Sequence, residues 1–504
     1  MTAAAEQARP DSHRAVTVAL LLTSWVQAAT ISLPNAILLH LQGTLSMSDD
    51  EVGWVFSWYI AASAITMPVT RWFAGRYGRK LVYQVSIAVF AFGLVLATRA
   101  ETPMQFIAAR IVQGAASGPL APLSLAILLD AHPPARHGRF SLIWTVALIF
   151  GILSGPSIGG WFGEHHGWRS IFYLNLPISG FIFLVIALSV PEKKAEQVPS
   201  FDFFGFGTLT LGMIGLQMAF DRGERLEWFA SPEIWAEAVA SVLGFYLFTV
   251  HVLTTETHFL SKALFRDRNF VLSTVMFFAF GFVLLPTIAL TSPMLDELLG
   301  YPSDTTGYMA IPRSLALLAA LISASYAPAR IDNRFLIAGG AALVVYGTWR
   351  MLGYSPAMDW RPVITAGVLQ GAGLGILMPV LAKTAFSTLD PKLRPEGTVL
   401  FNLARLYGST LGIAVVLTFF YGNTQAMHLA LAKNIRPQNA ATHVAAALSR
   451  PGLAHLNEMI TGQAAVVSII GQFKILMIAM LIVSPLVLLL RKPRPINELS
   501  RSQP

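Results

Sequence analysis

The sequence predicts an all-α polytopic membrane protein of 14 spanning helices, and three observations predict it. Of 504 residues, 54% are hydrophobic and 12% are charged, whereas a soluble domain carries roughly 25% charged residues. Apolar runs recur along nearly the whole chain, with a mean hydropathy of +0.59, and about 20 apolar residues suffice to cross a bilayer. The connections between the runs also differ in basic charge in a regular alternation.

The first six runs lie at 15–39, 52–70, 81–99, 104–129, 140–163 and 170–190, and two more at 204–221 and 232–253. The last six lie at 270–295, 307–326, 335–352, 362–388, 398–421 and 468–490. Arg9 and Arg14 give the first run the charged start of a signal peptide. The run is too long for one and further spans follow, so it reads as a retained helix. Of 35 Lys and Arg, 21 fall on the side shared with the termini, 9 on the other, with Arg99 and Arg350 at run ends counted there, and five lie deeper inside spans: Arg110, Arg313, Lys383, Arg405 and Lys474. Basic residues resist translocation. Both termini, 1–14 and 491–504, are therefore expected in the cytoplasm. One helix more or fewer would invert every later loop and destroy the bias.

Helices 2 and 10 are each followed by a short basic loop, Arg71 to Lys80 and Arg330 to Arg334. This repeat suggests two six-helix bundles, at 15–190 and 270–490, with helices 7 and 8 inserted at 191–269. Repeated halves around a central cavity are a common transporter plan. The stretch 422–467 reads as a long outer loop, with alanine-rich pieces at Gln425 to Ala432 and His443 to Leu448 compatible with surface helices.

Composition also excludes function classes. The net charge of +8 sits in short clusters between apolar runs, which is loop sidedness and not a nucleic-acid footprint. With no cysteine, disulfides and thiolate metal sites are ruled out. His165 and His166 lack a third ligand and no His-Glu-x-x-His motif occurs, so neither a metal site nor an enzyme is expected. No cofactor is implied.

In helix 5, Gly151, Gly155 and Gly159 recur every four residues, with Pro156 and Gly160 beside them. Such a face admits a closely packed neighbour. Helix 4 carries Arg110, with Gln113 and Gly114 one turn on. An arginine at membrane depth is a functional candidate by default.

These three features, Arg-x-x-Gln-Gly in helix 4, Gly-x-x-x-Gly-Pro-x-x-Gly-Gly in helix 5 and the basic loop after helix 2, resemble signatures of the major facilitator superfamily. Trp168 to Pro177, Leu216-Gln217 with Asp221 to Glu224, Phe265 to Phe270, and Asn402 to Arg405 with Gly408 and Gly412 are similar to its fourteen-helix EmrB/QacA-type drug:proton antiporter branch. The resemblance, over roughly residues 15–495, implies the major facilitator fold and proton-coupled efflux of amphipathic small molecules across the bacterial inner membrane. It gives the antiporter motif to Gly151, Gly155, Pro156, Gly159 and Gly160, proton coupling to Arg110, and the gating loop to Arg76, Gly78, Arg79 and Lys80. In Gram-negative relatives it implies a periplasmic adaptor protein and an outer-membrane channel as partners.

The chain departs from that pattern at Gly75, where the superfamily has an aspartate, at Arg71, where it has a glycine, and at Ala28, where the branch carries its proton-binding aspartate. The remaining coupling candidates are Asp130, Asp221 and Glu237. Polar residues on helices expected to line the cavity are Gln27, Thr30, Asn35, Gln113, Arg313, Gln370, Asn402 and Arg405. Cations within the bundle and few carboxylates favour weak-acid substrates, since an arginine fork matches a carboxylate. The alternative is a dedicated exporter or importer of one metabolite, such as a siderophore-like or other organic acid.

Overall fold

A computed structural model describes residues 10–192, 201–255, 260–327, 331–433 and 450–491. The expected alanine-rich piece at His443 to Leu448 lies outside the described residues. Among them, fourteen α-helices reach 18 residues or more. The first six are α1 (Pro10–Ser32), α2 (Asp49–Thr66), α3 (Arg79–Arg99), α4 (Pro103–Asp130), α5 (His137–His166) and α6 (Arg169–Ser189). Then come α7 (Phe203–Gly223) and α8 (Pro232–Thr254). The last six are α9 (Arg268–Pro293), α10 (Ser303–Ser325), α11 (Asn333–Met351), α12 (Trp360–Ala385), α13 (Arg394–Ala432) and α14 (Arg450–Val483). Thirteen are long and apolar enough to cross a membrane. The exception is α11, diluted by Arg334, Arg350 and three glycines, yet it packs between α12 and α14 like its counterpart α3 between α4 and α6.

The helices form two bundles with the same internal pairings. In the first, α1 packs on α5, α2 and α3 on α4, and α3 on α6; in the second, α9 packs on α13, α10 and α11 on α12, and α11 on α14. The two bundles meet along two seams, α5 against α10 and α13 against α2, which the same twofold relation exchanges. The residues repeat it too. A Cβ on Gly114 would stand 2.1 Å from Tyr59 O, and one on Gly371 2.5 Å from Arg313 O. Only glycine allows α4 and α12 to lie this close to α2 and α10.

Helices α7 and α8 pair with each other, and α7 also touches α2 and α13. The outward side of α8 exposes Trp235, Val239, Val242, Tyr246 and Leu253. An apolar face of this size suits lipid.

Within the stretch 422–467, expected as a long outer loop with short helical pieces, the described residues are helical up to Ala432 and again from Arg450. α13 runs on to Ala432 and α14 begins at Arg450. Its tail Gln425 to Ala432 contains strong helix formers, and adding residues to an existing helix needs no new nucleation. At 1.5 Å per residue its 39 residues span about 58 Å, against a hydrocarbon core of about 30 Å. The surplus of α13 and α14 projects together, with His428 Nε2 3.0 Å from Asn457 Oδ1.

Candidate substrate cavity and coupling residues

A cavity of about 900 Å³ opens between the bundles at the end where the basic connections lie. Leu125, Arg139, Trp144 and Thr145 line it from the first bundle, and Phe277, Ser325, Lys383, Phe401 and Asn402 from the second. It narrows into a smaller chamber of about 110 Å³, reached past Trp144, Thr398 and Asn402, whose deeper wall contains Gln27, Ala28, Ser117 and Arg405. Among the described residues, three basic side chains, Arg139, Lys383 and Arg405, line the two spaces, and no carboxylate does.

Arg405 is the deep cation. It is 7% exposed, and its Nε and Nη1 are buried without a hydrogen-bond partner. Leaving a charged donor unpaired in a dry site is costly. The other lining groups are amphipathic: Trp144 gives its indole face to the cavity and donates to Ser124 Oγ at 2.9 Å. Ser117 Oγ donates to Gln27 Oε1 at 3.4 Å.

The opposite end is closed along the α5–α10 seam. Ser157 Oγ donates to Gly307 O at 2.7 Å, and a Cβ on Gly160 would lie 2.3 Å from Ser303 O. The glycine motif of α5 thus serves two contacts. Gly151, Gly155 and Gly159 press on Trp25, Ser32 and Leu33 of the first helix and its extension, while Pro156 and Gly160 press on the start of α10.

Other predicted cavity residues lie elsewhere in this conformation. Arg110 is fully buried and spends its donors on backbone and amide: Nε on Val55 O at 3.0 Å, Nη2 on Thr30 O at 2.9 Å and Nη1 on Gln113 Oε1 at 2.9 Å. Its guanidinium also sits 4.3 Å from the centre of the Tyr59 ring. Gln113 passes the link on to Gly93 O of α3. Thr30, Asn35, Gln113 and Gln370 are therefore interior packing groups and not cavity lining. Gln370 donates to Thr287 and Thr348. Arg313 occupies a separate small pocket within the second bundle, beside Tyr354 and Thr287, and reaches Leu284 O at 3.3 Å. Of the expected cavity set, Gln27, Asn402 and Arg405 line it. Lys383, counted from sequence as a basic residue inside a span, lines its mouth; Arg139 and Trp144 carried no motif.

The loop expected to gate, Arg76 to Lys80, is tied to helix ends on the basic face. Arg79 Nη1 lies 2.7 Å from Asp130 Oδ2, so this coupling candidate is an ion-pair partner. Lys80 Nζ donates to Ala187 O at 2.6 Å, and Arg76 lies near the Trp72 and Tyr77 rings. Gly78 has φ +94°, and a Cβ there would meet Glu192 Oε1 at 1.9 Å. That carboxylate accepts from the backbone of Lys80 and Leu81, a favourable place for negative charge at the start of α3. Glu237 accepts from Arg222 Nη1 at 2.8 Å.

Asp221 is different. Its carboxylate takes only neutral donors, Gln217 Nε2 at 2.9 Å and Ser57 Oγ at 3.1 Å.

The family model described as Major Facilitator Superfamily matches residues 20–413. The chain belongs to this superfamily. It is 26% identical over 430 residues to the multidrug export protein EmrB of Escherichia coli, covering 84% of this chain and 83% of that protein. It is 27% identical over 490 residues to the fatty acid resistance protein FarB of Neisseria gonorrhoeae, covering 95% and 96%. Among solved structures, a bacterial homologue of the human lysosomal transporter Spinster superposes with a TM-score of 0.64 at 14% identity, over 96% of this chain and 98% of that one. The protein is a multi-pass membrane transporter, and multidrug export proteins of the EmrB type are among its relatives.

Proposed function

We propose that the protein exports amphipathic weak acids from the cytoplasm by alternating access, driven by protons moving inward. The observation that carries this reading is the cavity, whose described lining has three basic side chains, aromatic walls and no carboxylate. An amphipathic anion satisfies Arg405 with its head group and the aromatic walls with its tail. A permanent cation would be repelled by the three basic side chains and would find no counter-charge among the described lining residues. The resistance named for the gonococcal relative is to fatty acids, which are of this chemical class.

The basic face to which the cavity opens is proposed to be cytoplasmic, with both termini on it. The projecting ends of α13 and α14 are then on the periplasmic side, placed to meet an adaptor protein leading to an outer-membrane channel.

The test is transport in proteoliposomes of two probes matched in hydrophobicity, a quaternary ammonium dye and the permanent anion 8-anilinonaphthalene-1-sulfonate, which stands for the ionised form of a weak acid and does not leak across the bilayer as a neutral acid. The sulfonate is expected to move faster, with Arg405→Gln lowering its flux by about tenfold, roughly 1.4 kcal/mol. Faster movement of the dye, unaffected by Arg405→Gln, refutes the reading.

A further inference from the structure

A proton-driven exporter needs an acid that changes its proton load as the bundles rock, and α1 carries Ala28 at the cavity wall. Two of the carboxylates near the gates are held in ion pairs and a third lies open at the surface. Asp130 pairs with Arg79, and Glu237 with Arg222. Asp296 lies in an open pocket beside His40 and Glu164 and accepts from Thr306 Oγ1.

We propose that Asp221, held between Ser57 of α2 and Gln217 of α7, is the proton-binding site of transport, which places the proton on the inserted helix pair and away from the substrate cavity. The inference rests on the export reading above and adds the site of its driving ion.

Three features of the geometry support it. First, no cation is in hydrogen-bonding contact with the carboxylate, so its two protonation states are not locked by an ion pair. The charged groups around it are committed elsewhere: on α8, Glu237 and Glu233 are both on Arg222, while in the α7–α8 turn Glu224 accepts from Trp228 and Arg225 lies over the Trp54 ring. From α2 it meets Ser57, and Trp54 donates to its backbone carbonyl; α13 offers Thr418, which donates to Phe220 O at 2.7 Å.

Second, the cradle can serve both states. Gln217 is 1% exposed, and its Oε1 is buried without a partner beside the Nε2 that donates to Asp221. When a proton adds to Oδ1 the amide turns over, and Oε1 accepts from the new O–H; the Ser57 hydroxyl keeps Oδ2. No other group need move.

Third, the position couples proton load to rocking. α7 bonds to α2 of the first bundle through Asp221 and to α13 of the second through Phe220, beside the α2–α13 seam. Charging or neutralising the carboxyl changes the strength of the Ser57 contact, since hydrogen bonds to an ionised group are about twice as strong.

The experiment uses the full-length protein in proteoliposomes with 8-anilinonaphthalene-1-sulfonate, measured as exchange at equal pH and as accumulation driven by a pH gradient. Wild type performing neither would remove the export reading itself. Given wild-type activity, Asp221→Asn is expected to exchange within about twofold of wild type while driven accumulation falls about tenfold or more. Ser57→Ala, which leaves the carboxyl in place, is expected to move the pH at which driven flux is half-maximal. Driven accumulation retained by Asp221→Asn overturns the proposal. So does a Ser57→Ala flux lowered alike at every pH, the sign of a merely structural contact.

Discussion

At the residue scale the chain holds its intramembrane cations in three different ways. Arg110 donates to Thr30, Val55 and Gln113, joining α1, the middle of α2 and its own helix, so it acts as a staple between helices. Arg313 is inside the second bundle, and Arg405 faces the cavity with donors unspent. Replacing Arg110 by alanine strands three acceptors, at about 1–3 kcal/mol each. Arg110→Ala is expected to lose both driven transport and several degrees of thermal stability in detergent. Arg110→Lys, with the charge but not the fork, should recover stability only in part. Near-normal driven efflux by Arg110→Ala at normal expression would show that neither the staple nor its family role in coupling matters. Sequence reasoning marked all three arginines as unusual. It could not separate them, because whether a cation finds carbonyls or an open chamber depends on the neighbouring helices.

At the element scale the glycine repeat of α5 was legible in the sequence, as was the need for a close neighbour. Which neighbour it meets was not. Four residues per repeat place Gly151, Gly155 and Gly159 on one face, against α1 and its extension, while Gly160 turns toward α10. The two contacts predict different failures. Gly155→Leu drives a side chain into Ser32, whose Oγ stands 2.0 Å from a Cβ there, and is expected to insert and yet not transport. Gly160→Leu is expected to hold the α5–α10 seam apart and to raise labelling of a cysteine placed at Ser303. Full transport by Gly155→Leu would dismiss the packing argument. The lengths of α13 and α14 escaped the hydropathy reading because their outer turns are polar and alanine-rich, a pattern shared by loops and solvated helices. Their exposed Leu429, Leu453 and Met459 are the positions where cysteines should crosslink to a periplasmic adaptor. A functional pump with no crosslink from any of them would speak against such an assembly.

At the scale of the whole molecule the cavity opens on the face with the basic loops and is closed on the other by α5 and α10. This sets an expectation for sidedness, readable because the native chain has no cysteine. A cysteine at Ser325, an exposed residue of the cavity wall, should react with an impermeant maleimide in inside-out vesicles and not in intact cells. The reverse pattern would turn the protein over in the membrane and make the cavity outward-facing.

The sequence by itself determined the solvent, the number and order of the helices, the twofold plan and the superfamily. The first three follow from local quantities, namely the length of apolar runs and the charge of short loops that cannot cross a bilayer easily, and the superfamily from motifs that resemble its signatures. Only the tertiary structure decided which polar groups meet. The eight expected cavity residues divided between chamber, helix interior and a second pocket, and Ser57, on no motif, came to face Asp221 across 164 residues of chain. The physical reason is that apolarity acts residue by residue, so a run declares itself. A buried polar group is defined by its partner, and in a helical membrane protein partners are brought together by packing between helices far apart in the chain.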